Sequence, residues 1–230
     1  MWRAVLDFLY PPLCLCRGER LERGERLVCE CCWDLARRED RRSASPESPG
    51  GEGTPPATGV YARSANVWNE TLGEILHRFK YGGFPSLGER LARSLAGTIA
   101  SDPVLGDAEL LVPVPLTRVR RAERGFNQSA VLAQHLSRLI GLPVVERAVS
   151  RAGRSRSQTK LSPLERRKNV RGVFRVRDPG AVRGRHVLIV DDVLTTGATA
   201  EELAGALRTA GARAVSAVAV ARASGRPFSS

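Results

Sequence analysis

One methionine, three histidines and an aromatic content of 5% leave this 230-residue chain short of several kinds of chemistry. The histidines (His77, His135, His186) each lie beside or within an apolar run, and none has a partner at catalytic spacing, so all three read as structural. No cysteine lies beyond residue 32. Five thiols crowded at one end of a chain without a secretion signal do not make a disulfide framework. No apolar run is long enough to span a bilayer. Near the N-terminus, Trp2, Val5, Leu6 and Leu9 have helical spacing, but Asp7 interrupts them and no small-residue cleavage site follows. A signal peptide is therefore not expected, and the expected compartment is the cytoplasm.

Acidic residues are scarce too, with 24 Asp and Glu against 36 Lys and Arg, a net charge of +12. Between Arg147 and Arg185 thirteen cations face two acids, Glu165 and Asp178, which concentrates eleven of the net twelve charges there. Such a field favours polyanions such as phosphorylated small molecules, nucleotides or a nucleic-acid backbone. A solvated basic loop is the plainer alternative. Phe174 is the only aromatic near this segment, so stacking support for single-stranded nucleic acid is thin and any binding should be salt-sensitive and indifferent to sequence.

The richest stretch is His186-Val187-Leu188-Ile189-Val190-Asp191-Asp192-Val193-Leu194-Thr195-Thr196-Gly197-Ala198-Thr199. Four apolar, mostly β-branched residues predict a strand buried on both faces. Two carboxylates close it and a hydroxyl-rich turn follows. A helix then carries Leu203, Ala206, Leu207 and Ala210 on one face, with Gly211 at its C-terminal end. Thr199 and Glu202 have the spacing of a capping box. A turn entering a helix presents backbone N–H groups to a phosphate. Adjacent carboxylates can bind sugar hydroxyls or a magnesium ion.

Two further regions bear on the fold. Cys14 and Cys16, then Cys29, Cys31 and Cys32, suit a structural zinc, with Cys14, Cys16, Cys29 and Cys32 as ligands and Cys31 as a spare or substitute. Buried or redox-active thiols and an iron–sulfur centre are the alternatives. Upstream of the rich stretch, residues 110–115 read as a buried strand stopped by Pro113 and Pro115. A basic loop with Arg118, Arg120, Arg121 and Arg124 follows, then Gly125-Phe126-Asn127-Gln128-Ser129 and a helix through Leu139. This second strand, basic loop and helix predicts another anion site at the same edge of a parallel sheet. Residues 60–67 predict a strand. Residues 69–79 predict a helix ending in Lys80-Tyr81-Gly82-Gly83, where Lys80 is either an anion ligand or an ordinary helix-terminal lysine. Residues 87–99 predict a second amphipathic helix, 173–176 a short strand and 214–221 a last one. Expected domains are a cysteine-rich zinc element at 1–40, a flexible Ser/Gly/Pro-rich linker at 41–57 and an α/β domain at 58–225.

Residues 187–199 resemble the phosphoribosyl pyrophosphate (PRPP) motif of type I phosphoribosyltransferases, position for position. Val112-Pro113-Val114-Pro115, Arg124 to Gln128, Phe79-Lys80-Tyr81 and the later Gln158, Leu161, Ser162, Glu165, Arg166, Asn169 and Val170 are similar to the pattern of the ComF (ComFC or GntX-like) family. The resemblance implies a type I phosphoribosyltransferase fold, a mostly parallel sheet flanked by helices, behind a small cysteine-zinc element. The close Cys14–Cys16 spacing departs from the family's usual pattern. By the same resemblance Thr195, Thr196, Gly197, Ala198 and Thr199 would hold the 5′-phosphate of PRPP. Asp191 and Asp192 would hold the ribose hydroxyls with Mg2+. The backbone of Val114, Pro115 and Leu116 would bind pyrophosphate, with Lys80 and Arg124 as cations. Residues 151–171 correspond to a loop closing over the ligand. The family also implies a part in natural transformation, with single-stranded DNA and a helicase-like protein as partners, and it leaves room for an oligomer. No residue names the acceptor. Glutamine use is disfavoured because no amidotransferase domain precedes the motif and no cysteine follows Met1.

Overall fold

The computed structural model describes residues 11–37, 59–151 and 172–223. The expected linker, the basic segment from 152 to 171 and the N-terminal apolar stretch lie outside the described residues. Strands β1 (Tyr61–Val67), β2 (Leu110–Pro113), β5 (His186–Leu194) and β6 (Ala214–Arg222) form one parallel sheet in the order β1-β6-β5-β2. Strands β3 (Val149–Arg151) and β4 (Phe174–Val176) pair antiparallel beside it. The helices are α1 (Glu30–Arg37), α2 (Glu70–Tyr81), α3 (Leu87–Ala100), the single turn α4 (Pro103–Gly106), α5 (Arg118–Arg124), α6 (Gln128–Ile140) and α7 (Ala198–Thr209).

Strand β5 is buried on both faces because its side chains alternate between two cores. Leu188 and Val190 point to the layer that holds Leu72, Ile75, Phe79, Leu95, Leu132 and Leu136, from α2, α3 and α6. Val187 and Ile189 point to the opposite layer, where α7 contributes Leu203, Ala204 and Leu207. Helices following β2 and β5 thus cover opposite faces. The crevice between these two adjacent strands, at their carboxyl ends, is where such sheets accept ligands. Pairing of Pro113 with Val190, and the Val114 N–H donating to the Val190 carbonyl at 3.0 Å, set the turn after β2 beside Asp191.

Two expectations change. The arginine-rich stretch after β2, read as a loop, is helix α5: Thr117 Oγ1 accepts from the Arg120 N–H at 3.3 Å, and Gly125 ends it in the left-handed region at φ 76°. The capping box does not form. Gly197, at φ 75°, is the N-cap of α7, Thr199 lies inside the helix, and the Glu202 carboxylate accepts from the Gly172 N–H. The Thr-Thr-Gly turn starts the helix two residues before the box would.

The cysteine-rich segment packs against the main body. Cys14, Leu21, Val28, Cys32, Trp33 and Ala36 share one continuous core with α2 and α3. Asn69, whose Oδ1 caps α2, also donates to the carbonyls of Leu35 and Ala36 at 3.1 Å each. Arg90 of α3 pairs with Glu30 and lies 4.9 Å over the Trp33 ring. No helix among the described residues is long and apolar enough to cross a membrane.

Candidate functional site

The site is assembled at the ends of β2 and β5 from residues distant in sequence. Asp192 is buried, and its Oδ2 accepts from Lys80 Nζ at 3.0 Å and Gln128 Nε2 at 3.5 Å. Asp191 Oδ1 accepts from Ser129 Oγ at 3.1 Å and from the Asp192 N–H at 2.8 Å. The two carboxyls behave oppositely. Burial and the neighbouring Asp192 charge push Asp191 up to about 7. Burial also acts on Asp192, but the Lys80 ammonium outweighs it and holds that carboxyl below its ordinary value. The pair therefore carries one fixed negative charge and one that titrates near neutrality. Lys80 stands at the carboxylate pair rather than in open solvent at a helix end.

Beyond Leu194, Thr195 is exposed and Thr196, Gly197, Ala198 and Thr199 are partly exposed. Asn69, Thr117 and Asn127 cap α2, α5 and α6 with side-chain oxygens, whereas Gly197 offers α7 none. The Ala198 N–H meets Thr196 Oγ1 at 3.4 Å. This first turn is a positive helix end open to an anion. Across the crevice, Val114 has its backbone engaged on both sides: its N–H donates to Val190, and its carbonyl accepts from Asn127 Nδ2 at 3.1 Å. Pro115 has no N–H, so of the three loop residues singled out from the sequence Leu116 keeps a donor without a protein partner among the described residues. Arg124 donates through Nη2 to the Tyr81 hydroxyl at 2.6 Å and stacks 4.7 Å over that ring, while its buried Nε has no partner among the described residues.

Asn127, Gln128 and Ser129 stand in a recognisable sequence pattern, but their reach to Val114, Asp192 and Asp191 is visible only in the fold. Arg151 also comes to the site's edge only through the fold. Its guanidinium lies 5.3 Å over the Phe174 ring with Nε buried and unpartnered among the described residues, and burial followed by the Arg120 charge lowers its pKa while Asp191 opposes this. Its position at the start of a run dense in arginine gave no local signal to set it apart.

Among the five thiols, Cys14, Cys29 and Cys32 are buried with their sulfurs within 4.8 Å of one another. The Cys14 and Cys32 sulfurs are 3.8 Å apart, and a tetrahedral ion with thiolates at about 2.3 Å would set sulfurs about 3.8 Å apart. Although burial opposes it, N–H donors from Cys29, Cys16 and Arg17 bring the Cys14 thiol down to about 7. Burial and the Cys14 charge raise Cys16 to about 11, and burial with bonds to Cys29 and Cys14 raises Cys32. Cys16 is half-buried beside the trio and outside it. Cys31 is exposed and accepts from Arg17 Nη1 at 3.3 Å. The trio could hold a metal ion.

Residues 126–230 match the phosphoribosyl transferase domain family. Over 158 residues the chain is 33% identical to "Competence protein F" of Haemophilus influenzae, covering 67% of this chain and 69% of that protein. The chain belongs to the ComF family. Its fold is accordingly the type I phosphoribosyltransferase fold, which the parallel sheet with helices on both faces fits. Further ComF relatives are the "DNA utilization protein YhgH" of Escherichia coli K12, 37% identical over 147 residues, and "Competence protein ComFC" of Bacillus subtilis, 31% identical over 138. The match covers 63% of this chain and 64% of the first, and 60% of this chain and 53% of the second. The chain thus spans somewhat less than two thirds of the length of the E. coli relative.

Proposed function

We propose that this ComF protein binds PRPP with Mg2+ between the ends of β2 and β5 and transfers its phosphoribosyl group to an acceptor. The observation that carries the reading is the aspartate pair standing between two turns suited to anions, with an uncapped helix end on one side and the Leu116 N–H on the other. PRPP has a 5′-phosphate at one end, a pyrophosphate at the other and a ribose diol between. In this reading the turn entering α7, at residues 195–199, holds the 5′-phosphate. Asp191 and Asp192 accept from the ribose hydroxyls. The 114–116 loop and Arg124 face the pyrophosphate, and Lys80 keeps Asp192 ionised. The carboxylates would also hold the magnesium ion, whose chemistry is to neutralise pyrophosphate. As pyrophosphate departs, positive charge grows on the ribose, and the nearby carboxylates stabilise it.

Titration of PRPP with Mg2+ tests the binding, and pyrophosphate release across a panel of acceptors tests the transfer. Binding needs Asp191 ionised, so affinity should fall about tenfold between pH 8 and pH 6 as protons return through about 7. No PRPP binding at pH 8 would remove the reading. Binding without pyrophosphate release with any acceptor would favour a non-catalytic PRPP- or nucleotide-binding role.

A second reading, single-stranded DNA binding in DNA uptake, draws support from one surface feature. Tyr81 is 55% exposed, Arg124 stacks on it, and α5 adds Arg118, Arg120 and Arg121 alongside. An aromatic ring flanked by cations can stack a base and track a backbone. Gel shifts over a salt series should show affinity falling with a slope set by the phosphates contacted, and Tyr81→Ala should weaken binding severalfold. A salt-independent or absent shift would dismiss it. The same reading includes a helicase-like partner. For the cysteine trio we assign a structural zinc, and for the whole chain a cytoplasmic location with a zinc element at 1–40, a linker at 41–57 and the catalytic domain at 58–225.

A further inference from the structure

Three consecutive residues at the start of α6 reach three different parts of the pocket. Asn127 Nδ2 bonds the Val114 carbonyl, Gln128 Nε2 bonds Asp192 Oδ2, and Ser129 Oγ bonds Asp191 Oδ1. All three side chains are buried. The bonds they make divide the four carboxylate oxygens. Asp191 Oδ1 and Asp192 Oδ2 are tied to protein donors, whereas Asp191 Oδ2 and Asp192 Oδ1 have no protein partner among the described residues. A vicinal diol needs two acceptors held side by side, and this arrangement leaves one oxygen from each residue. Asn127 adds a link of another kind, because it fixes the turn after β2 to the helix that fixes the carboxylates.

We infer that Asn127, Gln128 and Ser129 are positioning residues that set the distance between the two ends of the pocket. Gln128 and Ser129 aim the open carboxylate oxygens, and Asn127 holds the 114–116 loop in register with them. The inference rests on the PRPP reading. Groups that orient a binding residue matter because a misplacement of an ångström already costs much of the interaction. Asn127 Oδ1 also caps α6 by accepting from the Ser129 N–H at 3.1 Å. Capping alone would be served by aspartate or serine. Neither can reproduce the amide donor that reaches Val114.

The test compares PRPP with ribose 5-phosphate, each with Mg2+, by calorimetric titration against the unaltered protein and against Asn127→Asp, Asn127→Ser, Ser129→Ala and Ser129→Thr. Ribose 5-phosphate shares the phosphate and hydroxyls but lacks the pyrophosphate. Both Asn127 variants keep a helix cap, so they should weaken PRPP about tenfold and leave ribose 5-phosphate unchanged. Ser129→Ala should weaken both ligands about tenfold, and Ser129→Thr, which keeps the hydroxyl, should restore them. Equal losses of the two ligands in the Asn127 variants would mean a merely structural role and overturn the inference, as would no loss in any variant of a protein that binds PRPP. An unaltered protein that binds neither ligand would overturn the PRPP reading and the inference with it.

Discussion

Changing Asp191 and Asp192 together to asparagine is expected to abolish PRPP binding while the protein stays folded. Asparagine keeps the shape of each side chain, so strand β5 retains its place between β6 and β2. What disappears is the charge that, in the proposed function, would attract magnesium and accept strongly from the diol. Removing two charge-assisted contacts should weaken binding at least 100-fold, beyond detection in an ordinary titration. Unchanged affinity would sink the assignment of both residues. The single variants should separate by stability. Asp191 has a folded-state pKa near 7, above the ordinary carboxylate value of 3.8, so the stability it lends the unliganded protein is present at low pH and lost as pH rises through about 7. Asp191→Asn should therefore raise the melting temperature of the unliganded protein at pH 8. Asp192→Asn should lower it, because Lys80, with its side chain 19% exposed, loses its counter-ion.

Serine at Cys14, Cys29 and Cys32 together should eliminate co-purifying zinc and lower the melting temperature by roughly 10 °C or more, given the several kcal/mol a structural ion contributes. The effect should reach past the N-terminal segment, since Cys14 and Cys32 are buried in the core that α2 and α3 share. A chelator should reproduce the shift in the unaltered protein. Cys31→Ser should change neither metal content nor melting, as that thiol faces outward toward Arg17. Cys16→Ser decides the fourth ligand: lost zinc makes it a ligand, retained zinc leaves the trio sufficient. Full zinc content in the triple variant, measured by mass spectrometry, would refute the assignment.

The sequence made β5 and α7 legible because burial on two faces and burial on one leave different periods, and both periods were clean. Helix α5 was not legible for the same reason in reverse. It buries none of its residues, so no apolar stripe marks it, and only Thr117 and Gly125 at its ends carry a signal. The capping box misled because Thr199 and Glu202 have the right spacing, yet Gly197 had already begun the helix. The aspartate pair and the hydroxyl-rich turn after it could be read locally. The partnership of Lys80 with Asp192 could not, as 112 positions separate them and only the fold joins them. Nor could the packing of the cysteine segment, because a linker composition suggests independence and says nothing of shared core.

The strand order carries a consequence for how the protein is made. Strand β1 pairs with β6, so Tyr61 waits for Ser216 before its ladder can close. At synthesis rates of about 5–20 residues per second, roughly 8 to 31 s pass between the two. During that interval β5 also lacks the neighbour that will cover one of its edges, since β6 is inserted between it and β1. The nascent chain therefore presents unpaired strand edges until β6 has left the ribosome. Closure of this sheet waits for β6, and a chain cut short before Ala214 would hold the whole of β5 and α7 in a sheet that cannot close.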